Sequence, residues 1–230
     1  MARLQDIVTY CNQRLDIDSF DDYCPNGLQV EGRAQVRRIV SGVTACQALV
    51  EAAADAQGDL LLVHHGYFWR NEPGPLVGMK GRRIRSLVRA DASLLAYHLP
   101  LDAHPELGNN RQLGRRLGFG QAGVLDGLLW GVELAEPIST AALSARIDAA
   151  LHRTPLVIGE GTQLHRIAWC TGAAQGLIEQ AAGLGSLEAQ APVYRDLQAR
   201  LLEQLPYVPL WYEDHVLVRR TGVEDYELVA

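Results

Sequence analysis

The chain is poor in the features that mark secreted, membrane-embedded or nucleic-acid-binding proteins. Its four cysteines, Cys11, Cys24, Cys46 and Cys170, show no C-x-x-C spacing, and 230 residues are enough to build a core without disulfide staples. A reducing compartment is therefore expected. No run approaches the eighteen or so apolar residues of a membrane span, and the opening Met-Ala-Arg-Leu-Gln-Asp has no apolar h-region, so a cytoplasmic protein without membrane attachment is expected. Positive charge is scarce as well. A formal net charge of -6 and a pI near 5.6 argue against general affinity for nucleic acid or anionic lipid, both of which require basic surfaces. The one basic cluster, Lys80-Gly-Arg-Arg-Ile-Arg85, reads as the solvated first turns of a helix. There is no low-complexity segment, no short repeat, no P-loop lysine and no G-x-G-x-x-G pattern.

What stands out is a short apolar run, Leu60 to Val63, that stops on His64, His65 and Gly66. Continuous apolar runs of this length suit buried strands of a parallel sheet. Strand residues alternate faces, so adjacent imidazoles at the carboxyl end cannot both be core, and at least one faces the crevice where open α/β sheets hold ligands. A surface histidine beside a core histidine is the alternative. A second apolar run, Ser93 to Tyr97, ends on His98 and is followed by Asp102. Adjacent strands lie about 5 Å apart, so the two polar clusters can meet. Imidazole nitrogen with carboxylate oxygen suits zinc, iron, nickel or manganese, and the set does not choose among them. Cys170 and Ser41 lie near strand ends but in no activated-nucleophile motif, and no catalytic residue is assigned. Tyr67, Phe68 and Trp69 either stack a planar ligand or bury a loop against protein.

Around these motifs the spacing predicts a helix over 4–15 and an edge strand at Leu28-Gln-Val30. It also predicts a central strand within 36–42 and a helix over 45–56 capped by Thr44. Strand, helix, strand within about thirty residues is a βαβ unit, hence parallel pairing. Helices are expected over 80–90 and from about 110 to 117, with Asp102 and His104 in the loop between. Glycine-rich 118–127 reads as a boundary. Beyond it, strands are expected at 128–134, 156–158 and 166–171, with a helix over 139–151 capped by Ser139, another over 175–183 and an amphipathic helix over 193–204. The division expected is a first α/β lobe over 1–126, a second over 127–185, and an atypical tail over 186–230.

Several segments are similar to one family. Tyr23-Cys-Pro-Asn-Gly-Leu-Gln-Val-Glu-Gly32, Gly42-Val-Thr-Ala45, Val63-His-His-Gly-Tyr-Phe-Trp69, the run from His98 to Asn110, and Ala168-Trp-Cys-Thr-Gly172 resemble the Nif-three-like dinuclear-metal family. Its members are often labelled GTP cyclohydrolase I type 2 homologues, and the resemblance extends to about Gly185. It implies two interlinked α/β lobes with mainly parallel sheets and a toroidal homohexamer, a trimer of dimers or dimer of trimers. It also implies one or two divalent ions per chain (zinc, iron, manganese or nickel). By position His64, His65 and Asp102 match metal ligands, with His98 a further ligand or close partner. The activity implied is metal-dependent hydrolysis of a nucleotide-like or phosphoester substrate; a non-enzymatic hexameric metal-dependent scaffold is the alternative.

The tail departs from the family. The later segment in which a histidine and a glutamate close the dinuclear site has no counterpart after Gly185, and Glu213 and His215 are the candidates to substitute. The stretch from Tyr194 to Asp214 instead resembles the carboxyl end of peptide-binding proteins of ABC importers, from which no transport role follows. An impaired second metal position is the expectation.

Overall fold

The computed structural model describes residues 1–157 and 163–172, so the expected helices over 175–183 and 193–204, the whole tail, Glu213 and His215 lie outside the described residues. The protein is mixed α/β, and its contacts divide it into two compact units, Met1–Gln112 and Leu113–Ala230.

In the first unit, β1 (Ala2–Arg3) pairs antiparallel with β3 (Gln35–Val36) beside helix α1 (Leu4–Leu15). The main sheet contains β2 (Gly27–Val30), β4 (Ile39–Thr44), β5 (Leu60–His65) and β6 (Ser93–Ala96) in the order β2-β6-β5-β4. Strands β4, β5 and β6 are parallel, linked by α2 (Gln47–Asp55) and α3 (Gly78–Ala90), as the βαβ pattern requires. The short β2 closes one edge antiparallel, in the edge position its alternation predicts.

The two-residue period of β5 and β6 is divided between two cores. Leu61, Val63, Leu94 and Ala96 pack with Val50 and Ala53 of α2 and Ile84 and Leu87 of α3. Leu60, Leu95 and Tyr97 pack on the opposite side with Leu4, Val8 and Leu15 of α1. A sheet covered on both faces explains why these strands read as unbroken apolar runs. Leu61, Leu94 and Leu95 have no exposed surface, and truncating any of them to alanine costs about 2–5 kcal/mol. The site therefore stands on a stiff base.

Local expectations are corrected in two places here. Thr44 is not the cap of α2: it pairs with His65, and the Ala45 N–H donates to the His65 carbonyl at 2.9 Å, so pairing consumes these residues and Cys46 takes the N-cap position. Asp102 is not in a loop but in α4 (Leu99–Ala103), where the Asp102 N–H donates to the His98 carbonyl at 3.1 Å. Helix α5 (Asn109–Arg116) follows.

The second unit overturns the expectation of mainly parallel sheets. Strands β7 (Gly123–Asp126), β8 (Leu129–Ile138) and β9 (Leu164–Trp169) form an antiparallel sheet in the order β7-β8-β9, with α6 (Thr140–Leu151) between β8 and β9. The reason is the tight Gly127-Leu128 turn between paired Asp126 and Leu129, with Gly127 at φ 50: a two-residue connection permits only a hairpin. Ser139 does cap α6, accepting from the Ala142 N–H. Leu156 and Val157 are irregular backbone rather than strand, and Ile158 lies outside the described residues.

Candidate metal centre

The sheet ends where the chemistry begins. Along β5 the alternation assigns His64 to the α1 face and His65 to the α2/α3 face. Both lie just past the end of β6, beyond the covered part of the sheet, and their rings turn toward each other with centroids 4.4 Å apart. His64 Nδ1 stands 2.9 Å from the Tyr97 carbonyl, and His65 Nδ1 stands 3.0 Å from the Thr44 hydroxyl. A carbonyl only accepts, so His64 carries its proton on Nδ1 and leaves the Nε2 lone pair free. Gly66 permits the turn away from the strand: a Cβ there would stand 2.2 Å from Gln29 Oε1 and 2.6 Å from the Ala96 methyl.

His98 completes the group. Nitrogen atoms of His64, His65 and His98 all lie within 4.8 Å of one another, and the His98 ring centroid is 5.1 Å from that of His64. The short α4 turn brings Asp102 to the same place, its Oδ2 3.6 Å from His64 Nε2. Its Oδ1 accepts from Asn109 Nδ2 at 2.8 Å, which fixes the carboxylate from behind. Asp102 is 3% exposed. Of the four candidate ligands, the three imidazoles thus converge and Asp102 stands against His64.

Asp22 was missed by sequence reasoning. Its side chain, 2% exposed, meets His98 Nδ1 at 2.9 Å. The carboxylate also accepts from the N–H groups of Tyr23 and Leu99 at 2.7 and 2.8 Å and from Asn26 Nδ2 at 3.0 Å. Burial opposes its ionisation, but the hydrogen bonds from Asn26, His98 and the Leu99 amide hold its carboxyl below the usual range. The nearest sequence signal was the Tyr23–Gly32 segment, which begins one residue later. Asp22, Cys24 and His98 also have potential ligand atoms within 4.8 Å of one another. That second grouping is not an open site. The Asp22 oxygens are already engaged by Tyr23, Asn26, His98 and Leu99, and burial and the Asp22 charge push the Cys24 thiol up to about 12, keeping it neutral.

The other histidines are accounted for differently. His104 is buried, with Nδ1 accepting the Glu106 and Leu107 N–H groups at 3.0 Å and Nε2 3.0 Å from the Arg14 carbonyl, so neither nitrogen is left for an ion. His152 and His165 are exposed. The three aromatics after the histidine pair separate by role. Tyr67 is core, its hydroxyl donating to the Ala45 carbonyl at 2.7 Å; Phe68 packs against the core; only Trp69 reaches the site, 5.1 Å from His98 edge-on. Burial pushes the Tyr67 hydroxyl up to about 12. The Trp69 loop is tied by Glu72, which accepts from the N–H groups of Phe68 and Trp69 at 2.7 and 3.2 Å.

These residues fit a divalent cation. Two donors about 2.1 Å from one ion at tetrahedral angles stand about 3.4 Å apart, close to the His64–Asp102 separation of 3.6 Å. Burial, and next the neighbouring His64 and His98 rings, hold the His65 imidazole below its usual value, so it stays neutral, the form a ligand needs. Two buried carboxylates, Asp22 and Asp102, flank three imidazoles, and a doubly charged cation would balance them.

An α/β fold with clustered imidazoles and carboxylates at the carboxyl ends of parallel strands defines a class of candidate metal-binding proteins. Within it, this chain belongs to the Duf34/NIF3 (NGG1p interacting factor 3) family, whose model matches residues 2–186. A relative from Pseudomonas aeruginosa, called a GTP cyclohydrolase 1 type 2 homolog, is 54% identical over 188 residues, covering 79% of this chain and 74% of that one. A relative of the same name from Allochromatium vinosum is 52% identical over 189 residues, covering 80% and 74%. Among solved structures, the ybgI protein, described as of unknown function, superposes with a TM-score of 0.74 at 42% identity, covering 80% of this chain and 75% of that one. A second, the protein TTHA1606 from Thermus thermophilus, superposes with a TM-score of 0.72 at 33% identity, covering 78% and 74%.

Proposed function

We propose that this protein binds a divalent metal through His64, His65, His98 and Asp102 and uses it to hydrolyse a nucleotide-like or phosphoester substrate. The observation that carries the reading is the convergence of three imidazoles and a buried carboxylate from two strand ends, with ligand-like separations. When bound, the ion supplies Lewis acidity and lowers the pKa of water. The chain's own residues do the rest. The Tyr97 carbonyl holds the His64 proton on Nδ1, and Asn109 fixes the Asp102 carboxylate. Trp69, partly exposed, and Tyr23, 46% exposed, form an aromatic rim beside His98 that excludes water from one side and offers a flat face to a ring. The name shared by the relatives supports a nucleotide-like substrate.

The protein works as a homo-oligomer in this reading, a ring of six. Large apolar side chains left exposed on the first unit, among them Val43, Val77 and Val88 at 67%, 69% and 61%, support burial against further copies. The test is hydrolysis of nucleotides and phosphoesters with manganese, iron or zinc added. Turnover that disappears in His65→Ala while the assembly persists is expected; absence of turnover with every metal and substrate class refutes the enzymatic role and leaves a metal-dependent scaffold.

A further inference from the structure

We propose that Asp22 is the positioning residue that makes His98 competent to ligate, an inference that rests on the metal centre proposed above. Asp22 lies in the loop after the turn Ile17–Ser19, 76 residues from His98 in sequence. The loop holds His98 at three points. The Asp22 carboxylate meets the ring at Nδ1 and accepts the following amide, Leu99 N–H, while Asn26 Oδ1 accepts the His98 N–H at 2.7 Å. Asn26 Nδ2 in turn donates to Asp22 at 3.0 Å, so the two side chains clamp each other. A carboxylate accepts only, which fixes the His98 proton on Nδ1 and leaves the Nε2 lone pair as the ring's one donor to an ion. Such outer carboxylates orient the ligand ring and raise its basicity.

The same geometry determines what an amide would do. In Asp22→Asn the new NH2 must face either the Leu99 N–H and Asn26 NH2 or the Tyr23 and Cys24 N–H groups, the Cys24 thiol and His98 Nδ1. All of these are donors. Of these the imidazole alone can become a strong acceptor, by losing its proton from Nδ1 to solvent and gaining one on Nε2; a thiol sulfur accepts only weakly. Asn26 cannot reverse without breaking its bond to the His98 N–H. Asp22→Asn therefore places a proton on the nitrogen that an ion needs.

The test combines long-range 15N NMR of the metal-free full-length protein with zinc affinity measured against a chromophoric chelator. The His98 resonances are assigned by their loss in His98→Ala. Expected are the Nδ1–H tautomer in the native protein and the Nε2–H tautomer in Asp22→Asn. Zinc affinity should weaken about 10–100-fold in that variant. In a His98→Ala background Asp22→Asn should weaken affinity no further, since a residue acting only through His98 has nothing left to act on. An Nε2–H tautomer in the native protein overturns the inference even if the variant fails to fold. An effect of Asp22→Asn that persists undiminished without His98 also overturns it. If zinc binds and His98→Ala leaves affinity unchanged, this inference fails while the centre stands on His64, His65 and Asp102. If the native protein binds no zinc, the metal reading itself fails.

Discussion

Asp59 gives the sharpest test of how the sheet supports the site. It lies immediately before β5, at the opposite end from the histidines, and is 4% exposed. Its carboxylate accepts the Arg37 and Arg38 N–H groups at 2.7 and 3.0 Å and Arg33 Nη1 at 2.9 Å. Its own N–H donates to the Arg38 carbonyl, and its carbonyl accepts from Ser93 N–H, so one residue ties the amino ends of β4, β5 and β6 together. In Asp59→Ala the two amide bonds to a buried charge are lost, at about 1.5–3 kcal/mol each. The Arg33 pair adds about 0–1 kcal/mol, because that side chain is 45% exposed and screened. The sum is about 3–7 kcal/mol, read as a shift in the denaturant midpoint at pH 7. The Arg37 amide first, with the Arg38 amide and Arg33, holds the Asp59 carboxyl below its usual value against the cost of burial. A depressed carboxyl stabilises fully above the unfolded value near 4 and loses that contribution as pH falls through the folded value. The gap between native protein and Asp59→Ala should therefore be wide at neutral pH and narrow in acid. A gap under about 1 kcal/mol at pH 7, or one that widens on acidification, refutes the reasoning. Metal affinity at a temperature where both are folded should not change.

Three other outcomes are expected. Elemental analysis of purified protein should find one tightly held divalent ion per chain, since the described residues assemble one open ligand group and the family match ends at residue 186; two tightly held equivalents refute this. Gly66→Ala should cost about 1–3 kcal/mol in chemical denaturation, because a methyl would meet Gln29 and Ala96 at 2.2 and 2.6 Å; native stability in that variant contradicts the packing described. Trp69 is edge-on to His98 at 5.1 Å and 6.1 Å from His65, so cobalt should quench tryptophan fluorescence and Trp69→Phe should abolish the quenching; quenching that survives shows that another of the four tryptophans reports it.

Much of the first unit is legible in the residues themselves. Apolar runs at 60–63 and 93–97 with a helical spacing between them specify parallel strands, because a sheet buried on both faces demands side chains that never alternate in polarity. Two histidines at the end of one run and a His/Asp pair after the next could then be placed at one edge. The second unit is less legible, because Val124 and Leu125 sit in a glycine-rich stretch whose Gly127-Leu128 turn resembles a boundary as much as a hairpin.

By itself the sequence determined the strand order's ingredients, the four ligand candidates and the family to which they belong, all of them local or periodic features. Only the tertiary structure decided which polar groups face them. Asp22 reaches His98 across 76 residues, and no periodicity announces a pairing between a loop and a distant strand end. Likewise His104, a polar side chain in a promising segment, proves saturated by peptide groups, while His98 keeps one nitrogen open. Which nitrogen of an imidazole remains free depends on what lies against the other, and that is fixed by packing in three dimensions.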